Sequence, residues 1–156
     1  MSVVWITLTN GRKAYLEKSR YTWYQNLKGD IAKEIIVDDS GKPEYRQWLS
    51  YQYSNVTIVP VGDRPMGYTK AMQKCFDEAI NSGCDYVLHT EDDFLLNCGV
   101  DLEVLTQTLY NNTYLSQIIL QRQPWYPWEK KQPTYMDAIR SLGQEVIEVD
   151  HNGIIL

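Results

Sequence analysis

The sequence predicts an α/β domain built on a mostly parallel sheet with helices on its faces. Three observations predict it. Short β-branched runs alternate with longer amphipathic segments, which is the rhythm of β-α-β units. The chain has 156 residues, about the size of one ordinary domain and enough to bury a single core without staples. Its composition, 44% hydrophobic and 22% charged, is that of a soluble globular protein and argues against disordered and fibrous classes.

The elements follow in order. Val3 to Leu8 is the first strand, and after the Asn10-Gly11 break Ala14 to Leu27 reads as a helix. Its apolar side is Leu16, Trp23 and Leu27, and Gly29 is the stop signal. Glu34 to Val37 is the second strand, and Glu44 to Tyr53 reads as a short helix. Val56 to Val61 is the third strand, with Pro60 suiting a sheet edge or a strand end. Between Thr69 and Ser82, Ala71, Met72, Cys75, Phe76, Ala79 and Ile80 recur as adjacent pairs every four positions, with Gly83 where a cap would sit. Tyr86 to His89 is a short strand, Asp101 to Tyr110 a helix with Leu102, Leu105 and Leu109 inward, and Gln117 to Leu120 a further strand. Glu145 to Val149 and Gly153 to Leu156 flank Asn152-Gly153, a hairpin signal. Apart from the proline- and aromatic-rich stretch Gln123 to Pro133 nothing resembles a linker, so residues 1–156 read as one domain.

Charge and cysteines narrow the partners. A formal net charge of -5 with no lysine or arginine run offers no field for a phosphate backbone, so a nucleic acid polymer is not expected. Cys75, Cys84 and Cys98 are an odd set without a CxxC pair, which fits a reducing compartment. There is no basic leader and no run near the roughly 18 apolar residues of a membrane span, so the expected location is cytoplasmic. The N-x-Ser/Thr sequences at Asn55 and Asn111 are read as chance matches on that ground.

In open α/β sheets ligands lie beyond the carboxyl ends of the strands. Those ends carry Thr9-Asn10-Gly11-Arg12, Asp38-Asp39-Ser40-Gly41, Gly62-Asp63-Arg64 and Thr90-Glu91-Asp92-Asp93. The Glu91-Asp92-Asp93 triplet is the sharpest feature, because it sits between the apolar runs Tyr86-Val87-Leu88 and Phe94-Leu95-Leu96. Like charges crowded near a core need proton uptake or a bound cation, and a hard divalent ion held by oxygen brings substrate phosphates with it. An extended segment would turn Glu91 and Asp93 to one side and Asp92 to the other. Asp38 and Asp39 can accept hydrogen bonds from a base or ribose, or simply make a turn. Arg64, Gly67 and Lys70 precede or open the strongest helix, where a diphosphate could sit against the helix N-terminus. Pro124 to Glu129 gathers three aromatic side chains that could meet a sugar ring or close over the core. His89 and His151 read as structural on their own context.

These residues resemble the family-2-like glycosyltransferases of type A fold, over roughly the first hundred positions. The opening strand into Thr9-Asn10, the Asp38-Asp39-Ser40-Gly41 element, the Gly67 to Ala71 segment and the Asp-x-Asp-like Glu91-Asp92-Asp93 carry the likeness. The resemblance implies a Rossmann-like sheet and transfer of a sugar from a UDP- or GDP-linked donor to a carbohydrate or other hydroxyl acceptor, with Mn2+ or Mg2+ as cofactor. It implies that Thr9 and Asp39 contact the nucleoside, Asp38 supports that pocket, Glu91 or Asp92 meets the ribose, and Asp93 ligates the metal. Residues 1–100 would be the nucleotide-sugar part and 101–156 an abbreviated acceptor part. The nearest candidates there are Glu129 and Asp137 for a catalytic base and His151 for a late metal ligand. Arg64 and Lys70 are diphosphate candidates on charge and position. Two other classes stay open: a nucleotide-sugar-binding module without transfer activity, and a sugar-phosphate nucleotidyltransferase, which the poor Gly11-Arg12-Lys13 substitute for a triphosphate loop disfavours.

Overall fold

The computed structural model describes residues 1–120. Contacts divide the chain into a unit of Met1–Thr106 and a unit of Gln107–Leu156. The order is β1 (Val3–Thr9), α1 (Lys13–Asn26), β2 (Leu27–Lys28), β3 (Lys33–Asp38), α2 (Pro43–Gln52), β4 (Thr57–Pro60), α3 (Tyr68–Ser82), β5 (Tyr86–Glu91), β6 (Val100–Asp101) and α4 (Leu102–Asn111).

In the first unit four strands form one sheet in the order β4-β3-β1-β5. Every pairing in it is parallel, with Ile6 opposite Ile35 and His89, and Val37 opposite Val59. The α/β class with a mostly parallel sheet is as the sequence predicts. Because the strands run one way, their carboxyl ends share one rim. Pro60 ends β4, the outer strand, where a missing N–H costs no ladder bond.

Packing explains the strands. Central β1 is buried at all of its positions, as expected of a parallel strand covered on both faces. Val4, Ile6 and Leu8 meet Ile35 and Val37 beneath Ala71, Cys75 and Ala79 of α3. On the opposite face Leu16 of α1 packs with Ile36 and with Tyr45 and Leu49 of α2. Small residues four apart let α3 sit close to the sheet. Met72 packs against the same cluster, but the second members of the two later pairs do not share in it: Phe76 is 59% exposed and Ile80 78%. All three cysteines are free, and burial pushes the Cys75 thiol up to about 12.

Beneath α1 lies a buried polar layer. Arg20 is 1% exposed, with its guanidinium 4.3 Å over the Trp5 ring. It donates to Thr7 at 3.2 Å and pairs with Glu34 and the Tyr24 hydroxyl. Trp5 donates through Nε1 to Thr90 at 2.9 Å, and Thr90 and Thr7 share a further bond at 3.1 Å. Three adjacent strands are thereby cross-linked by side chains as well as by the ladder.

Two expectations are corrected. The first helix stops at Asn26 rather than Leu27, because Leu27 and Lys28 take up a parallel ladder with Val100 and Asp101. Gly29, at φ +102°, then turns the chain where a Cβ would press on Leu102. Gln117 to Leu120 has no strand, since a β-branched run becomes a strand only with a ladder partner. Helix α4 starts as expected: the Asp101 carboxylate accepts from the Glu103 N–H at 2.9 Å, an N-cap. Leu102 and Thr106 are its buried positions, while Leu105 is half-buried. In the second unit, Leu115 N–H closes a turn onto Asn112 at 2.8 Å. The hairpin at 145–156 lies outside the described residues. Among the described residues no helix is long and apolar enough to cross a membrane.

His89 makes a prediction. Its Nε2 is buried without a hydrogen-bond partner among the described residues, and burial lowers its pKa below 6.5. The folded chain thus holds His89 neutral while the unfolded chain protonates it, so stability falls as pH drops below 6.5. The loss from this group is at most about 1.4 kcal/mol per pH unit. Urea unfolding at pH 7.5 and 5.5 on the wild type and His89→Leu should show a smaller acid loss in the variant. Equal losses would remove the assignment.

Candidate functional site at the sheet rim

The rim is assembled by three loops. After β1, Gly11 adopts φ +98° and its Cα approaches Ser40, so that a Cβ would lie 3.0 Å from the Ser40 Cβ. After β3, Gly41 takes φ +63°, and a side chain there would overlap the Arg64 backbone of the loop after β4. Glycine at both points lets the loops touch one another.

Asp38 is fully buried at the end of β3. Its Oδ1 accepts from the Ser40 N–H at 2.8 Å and its Oδ2 from Arg46 Nε at 3.0 Å. Arg46 also reaches the Gly62 carbonyl, tying α2 to the loop after β4. Asp39 accepts from the Met66 N–H at 2.7 Å and the Gly67 N–H at 3.0 Å, so its two oxygens fix the approach to α3. Gly67 is the N-cap of that helix at φ +89°. Both aspartates therefore shape the rim first, and both strand-end carboxylates are satisfied by the protein.

The acidic triplet differs from the extended geometry expected of it. β5 ends at Glu91, and the Phe94 N–H bonds the Glu91 carbonyl at 3.1 Å, closing a turn. Asp92 is 1% exposed and turns inward. Its Oδ2 accepts from Thr9 Oγ1 at 2.9 Å and its backbone N–H continues the ladder to the Leu8 carbonyl at 3.0 Å. Thr9 spends its single proton on Asp92, so the Tyr45 hydroxyl is the donor in its 2.8 Å contact with Thr9. Burial pushes the Tyr45 hydroxyl well above its usual range, which keeps it protonated for that role.

The turn brings Asp92 and Asp93 together on Arg12 instead of to opposite sides. Arg12 pairs with Asp92 through Nη2 and meets Asp93 Oδ2 at 3.1 Å. Its hydrogen bond to Asp92, opposed by burial and aided by both carboxylate charges, raises its pKa further. Glu91 faces the α3 side of the sheet, where its Oε1 accepts from the Tyr68 hydroxyl at 3.1 Å. The apolar run after the triplet is not core throughout: Leu96 is buried, but Phe94 and Leu95 are 46% and 40% exposed. What holds it is α1, whose Ser19 Oγ donates to the Phe94 carbonyl at 2.6 Å, Trp23 Nε1 to the same carbonyl at 2.9 Å and Asn26 to the Leu96 carbonyl at 2.8 Å.

No protein-family model matches the chain, and no curated protein does. Of the predicted site residues, Thr9, Asp38, Asp39, Gly67, Glu91, Asp92 and Asp93 come together at the rim. Arg64 and Lys70 are exposed, and among the described residues neither makes an ion pair. Glu129, Asp137 and His151 lie outside the described residues. Sequence reasoning missed the partners Arg12, Tyr45, Arg46 and Tyr68. Arg12 had a signal, being the one cation in the loop after the first strand.

Among the described residues no group of three or more His, Cys, Asp and Glu side chains is gathered around one point. Magnesium and manganese need no such cage, since they bind through one or two carboxylates plus substrate phosphates and water. Asp93, with a side chain 39% exposed, and Glu91 offer oxygen of that kind, whereas Asp92 is committed to Thr9 and Arg12.

Proposed function

We propose that the chain is a metal-dependent glycosyltransferase, moving a sugar from a UDP- or GDP-linked donor to a carbohydrate or other hydroxyl acceptor. The observation that carries this reading is the meeting of Thr9, Asp38-Asp39 and Glu91-Asp92-Asp93 at the carboxyl ends of parallel strands, where α/β domains bind nucleotides.

In this reading Asp38 and Asp39 build the nucleoside pocket by fixing the loops around it, with Thr9 at its floor. Glu91, on the open side of β5, meets the ribose, and Asp93 is the residue that would hold Mn2+ or Mg2+. The bound cation supplies Lewis acidity toward the leaving diphosphate. In the transfer the acceptor hydroxyl oxygen bonds to the anomeric carbon as the bond from that carbon to the diphosphate oxygen breaks. The electron pair leaves with the nucleoside diphosphate, and the hydroxyl proton passes to a carboxylate, for which Glu129 and Asp137 are the candidates. His151 is the candidate for a further metal ligand, and Arg64 and Lys70 for contacts to the diphosphate from the α3 end.

Calorimetric titration with UDP and GDP, each with and without Mn2+, tests the reading. The wild type is expected to bind one of them in a metal-dependent manner, and Asp93→Ala to lose at least about tenfold in that affinity while melting at an unchanged temperature. Failure to bind either nucleotide would sink the reading.

A further inference from the structure

We infer that Tyr68 is a positioning residue for Glu91, and that the two together select a ribonucleoside diphosphate over its deoxy counterpart. The inference rests on the reading above and deepens its ribose contact.

Most polar groups at the rim are already spent on the protein. Asp38 gives its oxygens to Ser40 and Arg46, Asp39 to the Met66 and Gly67 N–H groups, and Asp92 to Thr9 and Arg12. All three carboxylates are buried, as is Thr9, whose hydroxyl donates to Asp92 and meets the Tyr45 hydroxyl. These groups shape the rim and have little left for a ligand. Glu91 is different. It is only half-buried, and the bond from the Tyr68 hydroxyl at 3.1 Å is its one side-chain hydrogen bond among the described residues. An ionised carboxylate accepts through two oxygens, so while Tyr68 holds Oε1 the other can take a donor from a ligand.

Asp39 is what places Tyr68. Its bonds to the Met66 and Gly67 N–H groups fix the two residues before Tyr68, and the Ala71 N–H bond to the Gly67 carbonyl starts α3. From that anchored helix start the phenol meets the end of β5, so the strand-end carboxylates of β3 and β5 are linked across central β1. The ground beside the pair is open: Tyr68 is 62% exposed, and a Cβ on Gly67 would meet nothing within 4 Å. The Tyr68 hydroxyl restrains a long, flexible carboxylate side chain before any ligand arrives, and a partner held in its bound orientation binds more tightly.

A ribose hydroxyl is a donor to such a carboxylate, and the deoxy sugar lacks it. A site that bonds a hydroxyl rejects the analogue without one, steeply where the acceptor is buried and by less where water can take its place. Half-burial of Glu91 therefore points to a preference of about tenfold rather than thousands.

Calorimetry with UDP and GDP, and with the 2′-deoxy and 3′-deoxy form of each, tests this in the presence of Mn2+ on the wild type, Tyr68→Phe, Glu91→Ala and the double variant. The wild type is expected to bind a ribonucleotide at least about tenfold more tightly than one of its deoxy forms. Tyr68→Phe keeps the ring and loses the hydroxyl. It is expected to cut that preference to about threefold or less, to bind the disfavoured deoxy form as the wild type does, and to melt at the same temperature. The double variant should discriminate no worse than Glu91→Ala alone, because Tyr68 acts through Glu91. A preference that survives in Tyr68→Phe, or an equal loss of affinity for the ribo and deoxy forms, would overturn the proposal. Nucleotide binding by the wild type without any ribose preference would remove this inference and leave the transferase reading standing, whereas no binding of any nucleotide would remove both.

Discussion

Glu34→Ala is expected to destabilise the protein by about 3–5 kcal/mol, the cost of leaving a buried charge without its partner. Arg20 is the reason. Its side chain is 1% exposed and enclosed by the Trp5, Tyr24 and Tyr53 rings, and Glu34 is its ion-pair partner. Its Nε already lacks a hydrogen-bond partner among the described residues. Rings facing a cation recover part of its desolvation, but they do not replace a carboxylate. A thermal melt should fall by on the order of 10 °C. The double variant Arg20→Met with Glu34→Leu should recover most of that loss, since an apolar pair of similar volume removes both charges together. If Glu34→Ala melted like the wild type, the pair would carry no structural weight. The Tyr24 hydroxyl reports on the same layer. Burial is the main cause that pushes it up to about 12, with Arg20 opposing, so loss of Arg20 should move its absorbance titration further up.

Asp39→Ala is expected to cost about 3–6 kcal/mol and, on the proposed function, to abolish nucleotide binding together with it. Two charge-assisted bonds to the Met66 and Gly67 N–H groups disappear, each of a kind worth about 1.5–3 kcal/mol when a partner is deleted. The loop from Gly62 to Gly67 then keeps the Arg46 contact to Gly62, the Ala71 N–H bond to the Gly67 carbonyl and the close approach of Gly41. Asp39→Asn keeps one acceptor oxygen and should fall between the two. Urea midpoints and calorimetry on the same preparations check both halves. A variant that loses stability but keeps full nucleotide affinity would show that this loop lies away from the ligand.

The sheet and its helices were legible because burial imposes periodicity on sequence. Ile35, Ile36 and Val37 are all buried, as a run in a parallel strand must be, and Ala71, Cys75 and Ala79 mark the face that α3 turns to the sheet. The rim was legible for a topological reason: parallel strands place their following loops side by side. Pairing at longer range was not. Leu27 with Val100 is a contact across 73 positions made by two-residue strands, and no local pattern encodes it. Nor does spacing say which carboxylate of a triplet turns inward. That was decided by the Thr9 hydroxyl beside Asp92 and by Arg12, side chains that reach the acid only once β1 and β5 lie in register. Phe76 and Ile80 fit a helical stripe yet stay exposed, because α3 meets β1 and β3 through Ala71, Met72, Cys75 and Ala79.

The grip of α1 on the segment after the triplet bears on which substitutions this protein tolerates. Ser19, Trp23 and Asn26 lie on successive turns of the helix and bind the Phe94 and Leu96 carbonyl oxygens, groups that every residue type possesses. The side chains of Phe94 and Leu95 are not what the helix reads. The path of the chain beyond Asp93 is therefore insensitive to the identity of residues 94 and 95 and sensitive to three positions about seventy residues upstream. Variation would accumulate at the place that looks most hydrophobic in the sequence, while the constraint lies in a helix whose polar residues look unremarkable there.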